Sequence, residues 1–310
     1  MQNLKMYELI YITGSGRSGS TLLERMLHSS AEVFALGEFH CLWRMATEAI
    51  ACSCGRTFAC DPFWQRVCAR ARLDAAMIDE LRGLEARISR TSFVARHRFS
   101  LQRLRSDAQV ARFLDLQHRL FSAIAEETGA RVLVDSSKAG PRAWLLATDP
   151  RVRVIHLYRD PVEVLASWRS RKFDPGLGTD MQRPPVRTAL GDWWKAEQFA
   201  RLLGARRPVA RIDYARLCSV PRHQFEAMAG ELGLSAPLAP QWIAPDSFAQ
   251  RSDYHSLNGN PDRFDRGPVK VQRRQVQWNG VPKIERPAIR MVAGVLRALF
   301  SPPRNNTGQP

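Results

Sequence analysis

The chain has 310 residues, 46 Lys+Arg against 30 Asp+Glu for a formal net charge of +16, and is 45% hydrophobic and 25% charged. This composition excludes wholesale disorder, a collagen-like repeat and low complexity, and no apolar run approaches the roughly 18–20 residues that a membrane span needs. The length suits one large α/β domain over residues 1–300 with an elaborated insertion, two full domains being the weaker reading.

The opening residues, MQNLKMYELIYIT, contain Glu8 and run straight into a Gly-rich loop. A cleavable signal peptide would not do so, and a cytoplasmic location is expected. Arginine is spread over every segment, so the positive excess reads either as a solvated surface or as attraction to phosphate, sulfate or an anionic membrane. Nucleic acid is not expected as a partner, because no reader module and no clustered basic face with aromatics is visible.

Tyr7–Ile12 is a β-branched and aromatic run, Thr13-Gly14-Ser15-Gly16 follows, and Ser20–Leu27 repeats apolar residues at helical spacing, which predicts strand, Gly-rich loop and helix. Val33–Leu36 predicts a second strand closing at Gly37-Glu38. From about residue 40 to 128 the pattern is helical, which predicts a helical insertion. Five of the six cysteines (Cys41, Cys52, Cys54, Cys60, Cys68) lie near its start. Cys52-Ser53-Cys54-Gly55 followed by Cys60 resembles half of a zinc knuckle, but the strong signature has a second pair. The simpler reading is reduced thiols packed around Phe58, Phe63 and Trp64, and no metal site is assigned.

Further strands are predicted at Arg131–Asp135, Val152–Tyr158 and Pro208–Asp213, with helices at Arg142–Ala147, Val162–Arg171 and Val186–Leu203. This alternation implies right-handed crossovers and a P-loop-like, doubly wound parallel sheet with helices on both faces, whose ligands sit at the carboxyl ends of the strands. Phe173–Pro185 and Asn258–Val271 read as loops, and 301–310 as a disordered tail. Arg290–Phe300 is basic and apolar at helical spacing; it reads first as a core helix and second as a peripheral membrane contact.

Gly14-Ser-Gly-Arg-Ser-Gly19-Ser20-Thr21 has the spacing of a phosphate loop, in the strand-to-helix context that supports one. Its amides and the helix N-terminus make an anion site. The lysine that bridges nucleotide phosphates is replaced by Ser20, and no strand ends in a clear Mg²⁺-holding aspartate, Asp135 being the substitute. An ordinary nucleotide hydrolase is therefore discounted. A second anion site is read at Arg159-Asp160-Pro161, where Asp160 suits an N-cap and Pro161 the first helical position, with Ser167 about two turns along. Taken alone, Arg159 reads first as the partner of an acidic neighbour and Ser167 as a surface helix residue; beside the first loop they read as an anion site.

Gly16-Arg17-Ser18-Gly19-Ser20-Thr21-Leu22-Leu23 and the stretch from Arg159 to Ser167 resemble the 5′-phosphosulfate loop and the 3′-phosphate element of the sulfotransferases that use 3′-phosphoadenosine 5′-phosphosulfate (PAPS). The resemblance covers roughly residues 7–40 and 130–215, and Arg17–Glu38 looks closest to the bacterial enzymes related to tyrosylprotein sulfotransferases. It implies PAPS as co-substrate with no metal required, and nucleotide contacts from Gly16, Arg17, Ser18, Gly19, Ser20, Thr21, Arg159 and Ser167. By the same match Glu38 falls on the catalytic base, while Gly37 stands where the family carries another glutamate. Val134–Lys138 resembles the strand-end lysine segment, in an altered order, and makes Lys138 a stabiliser of the transferring group. His255–Arg263 resembles a late loop that closes over the nucleotide, with Arg263 its nucleotide ligand.

Together these imply in-line transfer of a sulfuryl group to a hydroxyl or amine, with Arg17 and Lys138 facing developing charge and Glu38 taking the acceptor proton. The acceptor is expected to be a saccharide, a glycolipid or a small metabolite, chosen by the insertion and by Phe173–Pro185; no sequence feature specifies an oligomeric state. His40 is the main competitor for the base, His28 and His156 the others, and Trp193 and Trp194 are candidates for an acceptor pocket. The alternatives are a P-loop kinase and a non-catalytic nucleotide-binding protein.

Overall fold

Strand β1 (Glu8–Gly14) is buried on both faces, and its period-2 alternation divides the core: Leu9 and Tyr11 join one apolar cluster, Ile10 and Ile12 the other. In the computed structural model, which describes residues 7–273, 283 and 286–300, this strand is the centre of the molecule. The expected tail 301–310 lies outside the described residues. Helix α1 (Ser20–His28) follows the Gly-rich loop and leads to β2 (Val33–Ala35).

The insertion then supplies α2 (Leu42–Thr47), α3 (Pro62–Ala71), α4 (Ala75–Ile88), α5 (Thr91–Arg96), α6 (Leu101–Arg105) and α7 (Ala108–Thr128). Side-chain caps start most of them: Asp61 accepts from the amide of Phe63, Asp74 from Met77, Ser100 from Arg103, and Asp107 from Gln109 and Val110. Val110, Phe113, Leu116, Leu120 and Phe121 bury one stripe of α7, and Gly129, in the left-handed region, ends it. Each such fully buried side chain stabilises the fold by about 1.5–3 kcal/mol.

Beyond the insertion come β3 (Val132–Lys138), α8 (Gly140–Leu146), β4 (Val152–Tyr158), α9 (Pro161–Arg169), β5 (Phe173–Asp174), β6 (Thr179–Asp180), α10 (Val186–Gly204) and β7 (Ala210–Asp213). Asp160 caps α9 and Pro161 opens it, as its sequence predicts. The main sheet has the order β2-β3-β1-β4-β7, every pairing parallel, with the insertion cluster on one face and α1 and α12 (Pro221–Leu232) on the other. This is the doubly wound, P-loop-like sheet that the alternation implies.

Three features lay outside the sequence reading. Phe173–Pro185, expected as loop, contains the β5–β6 ribbon. After β7 the chain forms α11 (Tyr214–Ser219) and then α12, followed by β8 (Trp242–Ala244), β9 (Ser247–Phe248) and β10 (Val269–Lys270), a small antiparallel sheet. Its strands are two or three residues long, too short for a period to register. Helix α13 (Arg286–Phe300) buries Ile289, Ala293 and Phe300 while Met291, Val295 and Leu299 are exposed. No helix among the described residues is long and apolar enough to cross a membrane.

Candidate active site

A cavity of about 560 Å³ opens at the carboxyl edge of β1, β3 and β4, where a doubly wound sheet leaves a crevice at its switch point. Gly16, Arg17, Gly19, Ser20, Thr21, Glu38, Lys138, Arg159 and Ser167 all line it, although they come from segments up to 151 residues apart. Its charged lining is Arg17, Arg25, Arg44, Lys138, Arg159, Lys172 and Lys270 against Glu38, Asp174, Asp262 and Asp265. Such a balance favours an anion.

The phosphate loop is built to leave its amides for a ligand. Helix α1 starts at Gly19 with no side-chain cap and no acidic residue in its first turn, so its first N–H groups await an outside anion. Gly19 has φ +101°, and a Cβ there would lie 2.4 Å from the Tyr214 ring. Arg17 itself takes φ +66°, turning its side chain over Trp168 at 4.8 Å and towards Asn260, whose Oδ1 accepts from Nη1 at 2.9 Å. Arg159 steadies the loop from β4: its Nη1 donates to the Arg17 carbonyl at 2.9 Å, and its guanidinium stacks on Tyr214 at 4.2 Å. It also pairs with Glu163 at 3.1 Å, the acidic neighbour, and lines the cavity.

Glu38 and Lys138 meet through a bulge. Between Tyr11↔Asp135 and Thr13↔Lys138 the β1–β3 register gains one residue on β3. Lys138 consequently ends the strand at φ +67°, with Nζ donating to Glu38 Oε1 and to the Ser136 carbonyl at 3.1 Å. Asn258 Nδ2 donates to Glu38 Oε2 at 3.1 Å. Burial pushes the Glu38 carboxyl upward, but the Lys138 ammonium and these hydrogen bonds outweigh it and hold the group below its ordinary value. Glu38 is therefore a carboxylate at neutral pH. Gly37, at φ +73°, has no room for a side chain: a Cβ would fall 2.2 Å from Ser256 Oγ and 2.8 Å from the Asn258 carbonyl oxygen.

Other candidates are placed elsewhere. Ser18 is buried below the loop and Arg263 is fully buried, and neither lines the cavity. Arg263 instead makes a two-pronged pair with Asp174 at 2.9 and 3.2 Å and donates to the Gly259 carbonyl at 2.8 Å. The late loop does close over the cavity, but through Asn258, Gly259 and Asn260, the last receiving Lys172 at 3.2 Å as well as Arg17. His40 abuts Glu38 outside the cavity lining, and burial lowers its pKa. His156 pairs with Glu197 at 3.0 Å inside the core, and His28 is buried with Nδ1 accepting from the Ala35 amide. Trp193 donates to the Arg159 carbonyl at 2.9 Å and Trp194 is exposed; neither lines the cavity. Asp135, the candidate Mg²⁺ ligand, is fully buried against Arg142 at 3.2 Å. Sequence reasoning missed Arg25, Lys172 and Tyr214, whose only signal is their place in the folded chain.

The family model described as "Sulfotransferase family" matches residues 10–237. No curated protein matches the chain. Among solved structures, the sulfotransferase domain from the curacin biosynthetic pathway is 20% identical with a TM-score of 0.50, over 94% of this chain and 98% of that one. Sulfotransferase STF9 from Mycobacterium avium is 16% identical with a TM-score of 0.45, over 96% and 77%. The sulfotransferase domain of the Synechococcus PCC 7002 olefin synthase is 20% identical with a TM-score of 0.39, over 75% and 76%. At 20% identity the likeness to the curacin-pathway domain is one of fold.

Proposed function

The chain belongs to the sulfotransferase family, and we propose that it takes its sulfuryl group from PAPS and delivers it to a hydroxyl or amine, with Glu38, Arg17 and Lys138 as the catalytic residues. The observation that carries this reading is the convergence of Arg17, Lys138 and Arg159 with the carboxylate of Glu38 on one cavity at the sheet edge.

Bound PAPS supplies a sulfuryl group on a phosphate leaving oxygen. The amides that open α1, with Ser20 and Thr21, hold the phosphate end, and Arg159 and Ser167 serve the 3′-phosphate. Arg17 and Lys138 face the charge that develops during transfer, and because Asn260 and Glu38 already orient them they need little reorganisation. Glu38 takes the acceptor proton, a role that contributes about 10²–10⁴-fold. Its pairing with Lys138 keeps it ionised, and transfer of the proton is easiest once the ammonium turns to the sulfuryl oxygens. Arg44, Leu177, Met181 and Gln182 line the remaining wall and are the side chains proposed to meet a saccharide, glycolipid or small-metabolite acceptor.

The test is thermal stabilisation by adenosine 3′,5′-bisphosphate without Mg²⁺, with ATP for comparison, since a ligand that binds only the folded state raises the melting point. Selective stabilisation by the bisphosphate supports the donor. No shift with it, together with a Mg²⁺-dependent shift with ATP, removes PAPS from the reading.

A further inference from the structure

Outside the cavity, the start of the insertion and the late loop bring four metal-binding side chains together. The ligand atoms of Cys52, Cys54, Asp61 and His255 all lie within 4.8 Å of one another. His255 Nδ1 is 2.8 Å from Asp61 Oδ2 and 4.0 Å from Cys52 Sγ, and Cys54 Sγ is 3.2 Å from the same Asp61 oxygen. A tetrahedral zinc ion with bonds of about 2.0–2.3 Å separates its ligand atoms by about 3.2–3.8 Å. The four groups therefore need only small adjustments to close on one ion.

The surroundings fit such an ion. Cys52 donates its amide to the Arg56 carbonyl at 2.8 Å and accepts the Gly55 amide at its own carbonyl at 2.8 Å, and Gly55 at φ +90° makes the turn of a knuckle. Inside that turn the amides of Cys54 and Arg56 face the sulfurs of Cys52 and Cys54, as thiolates require. Phe63 stacks on the His255 ring at 4.5 Å and fixes its orientation, while the second Asp61 oxygen is held by the Phe63 amide at 3.0 Å. Cys52 and Asp61 are fully buried, and Asp61 faces the His255 imidazole at 2.8 Å, so the carboxylate and its neighbours are already turned to one point. The other such group, Glu38, His40 and Cys41, already has the Lys138 ammonium against its carboxylate.

We propose that Cys52, Cys54, Asp61 and His255 bind one structural zinc ion that fastens the late loop to the insertion. The ligand set combines two soft thiolates with an imidazole and a carboxylate, which suits zinc, and no ligand position is left open for catalysis. Binding releases to solvent the protons carried by the thiols and by the His255 imidazole, whose Nδ1 must be bare to take the ion. The loop it clamps is already laced to the knuckle, Ser53 accepting the Ser256 amide at 2.8 Å and donating to the Tyr254 carbonyl at 2.8 Å. Two residues after Ser256 the same loop enters the cavity at Asn258. The ion therefore holds the cavity wall without touching it. Cys60, part of the sequence-level half-knuckle, is exposed and outside this set.

The test uses the full chain and needs no activity. Elemental analysis after purification without chelator is expected to give one zinc per chain, and replacement by Co²⁺ is expected to give thiolate-to-cobalt charge transfer and the strong visible bands of a tetrahedral site. Cys54→Ser and His255→Ala should each lose the stoichiometric ion, while Cys60→Ser and Cys218→Ser keep it. If the first two variants do not fold, the Co²⁺ spectrum of the unsubstituted chain decides alone. Absence of both zinc and cobalt bands after reconstitution overturns the proposal, as does an ion retained in His255→Ala but lost in Cys60→Ser. Hydrogen exchange over 254–260 should rise when the metal is stripped; unchanged exchange overturns the clamping role.

Discussion

Glu38 and Lys138 define each other's chemistry. Because the carboxyl is held below its ordinary value, the carboxylate is present above that value, and its share of stability is lost only as pH falls through the lowered one. The acid limb of kcat/KM against pH is accordingly expected below the usual glutamate range of about 4.3. Lys138→Met should lower the rate and move that limb upward, since the main opponent of burial is then gone; a limb that stays in place would separate Glu38 from the titrating base. Glu38→Gln should reduce kcat by about 10²–10⁴-fold with little change in nucleotide affinity, measured by calorimetry beside turnover. Arg17→Ala and Arg159→Ala should each weaken binding of adenosine 3′,5′-bisphosphate by about ten- to a hundredfold, the worth of a charge-assisted hydrogen bond. Normal binding by both variants would displace the two anion sites.

Elements matter here where they depart from regularity. The bulge in β3 and the left-handed Lys138 turn a strand-end lysine onto Glu38, and neither is visible in the order of residues 134–138. The late loop shows the same limit. Its Gly/Pro/Arg-rich composition marks it as a loop and the resemblance puts it over the nucleotide, yet Arg263, the cation singled out there, is buried against Asp174. The buried pair anchors the loop to the ribbon, so Asp174→Ala should cost about 3–5 kcal/mol by leaving a charge uncompensated. A denaturation midpoint equal to that of the unsubstituted chain would contradict this. Gly37 has a parallel explanation: the strain and the contact with Ser256 and Asn258 exclude the glutamate that the resemblance would put before Glu38.

At the scale of the whole molecule, a small part of the positive excess acquires a location. It is spread along the chain, but the fold gathers seven basic side chains around one cavity. Nucleotide affinity should therefore fall steadily as KCl rises from about 50 to 500 mM, measured by fluorescence or calorimetry, because the Debye length over which partly exposed charges are screened shrinks from about 14 to about 4 Å in this range; an affinity independent of salt would count against an electrostatic site. The sequence by itself determined the alternation of strands and helices, the parallel sheet, the phosphate loop, the cap at Asp160 and the candidates Arg17, Glu38, Lys138 and Arg159, since each rests on local spacing, turn chemistry or a resemblance carried by short motifs. Only the tertiary structure decided which of them meet, why Arg263 and Ser18 face away, and that Cys52, Cys54, Asp61 and His255 form one cluster. Those outcomes depend on contacts between segments as many as 243 residues apart, and no local pattern encodes which distant side chain will lie opposite.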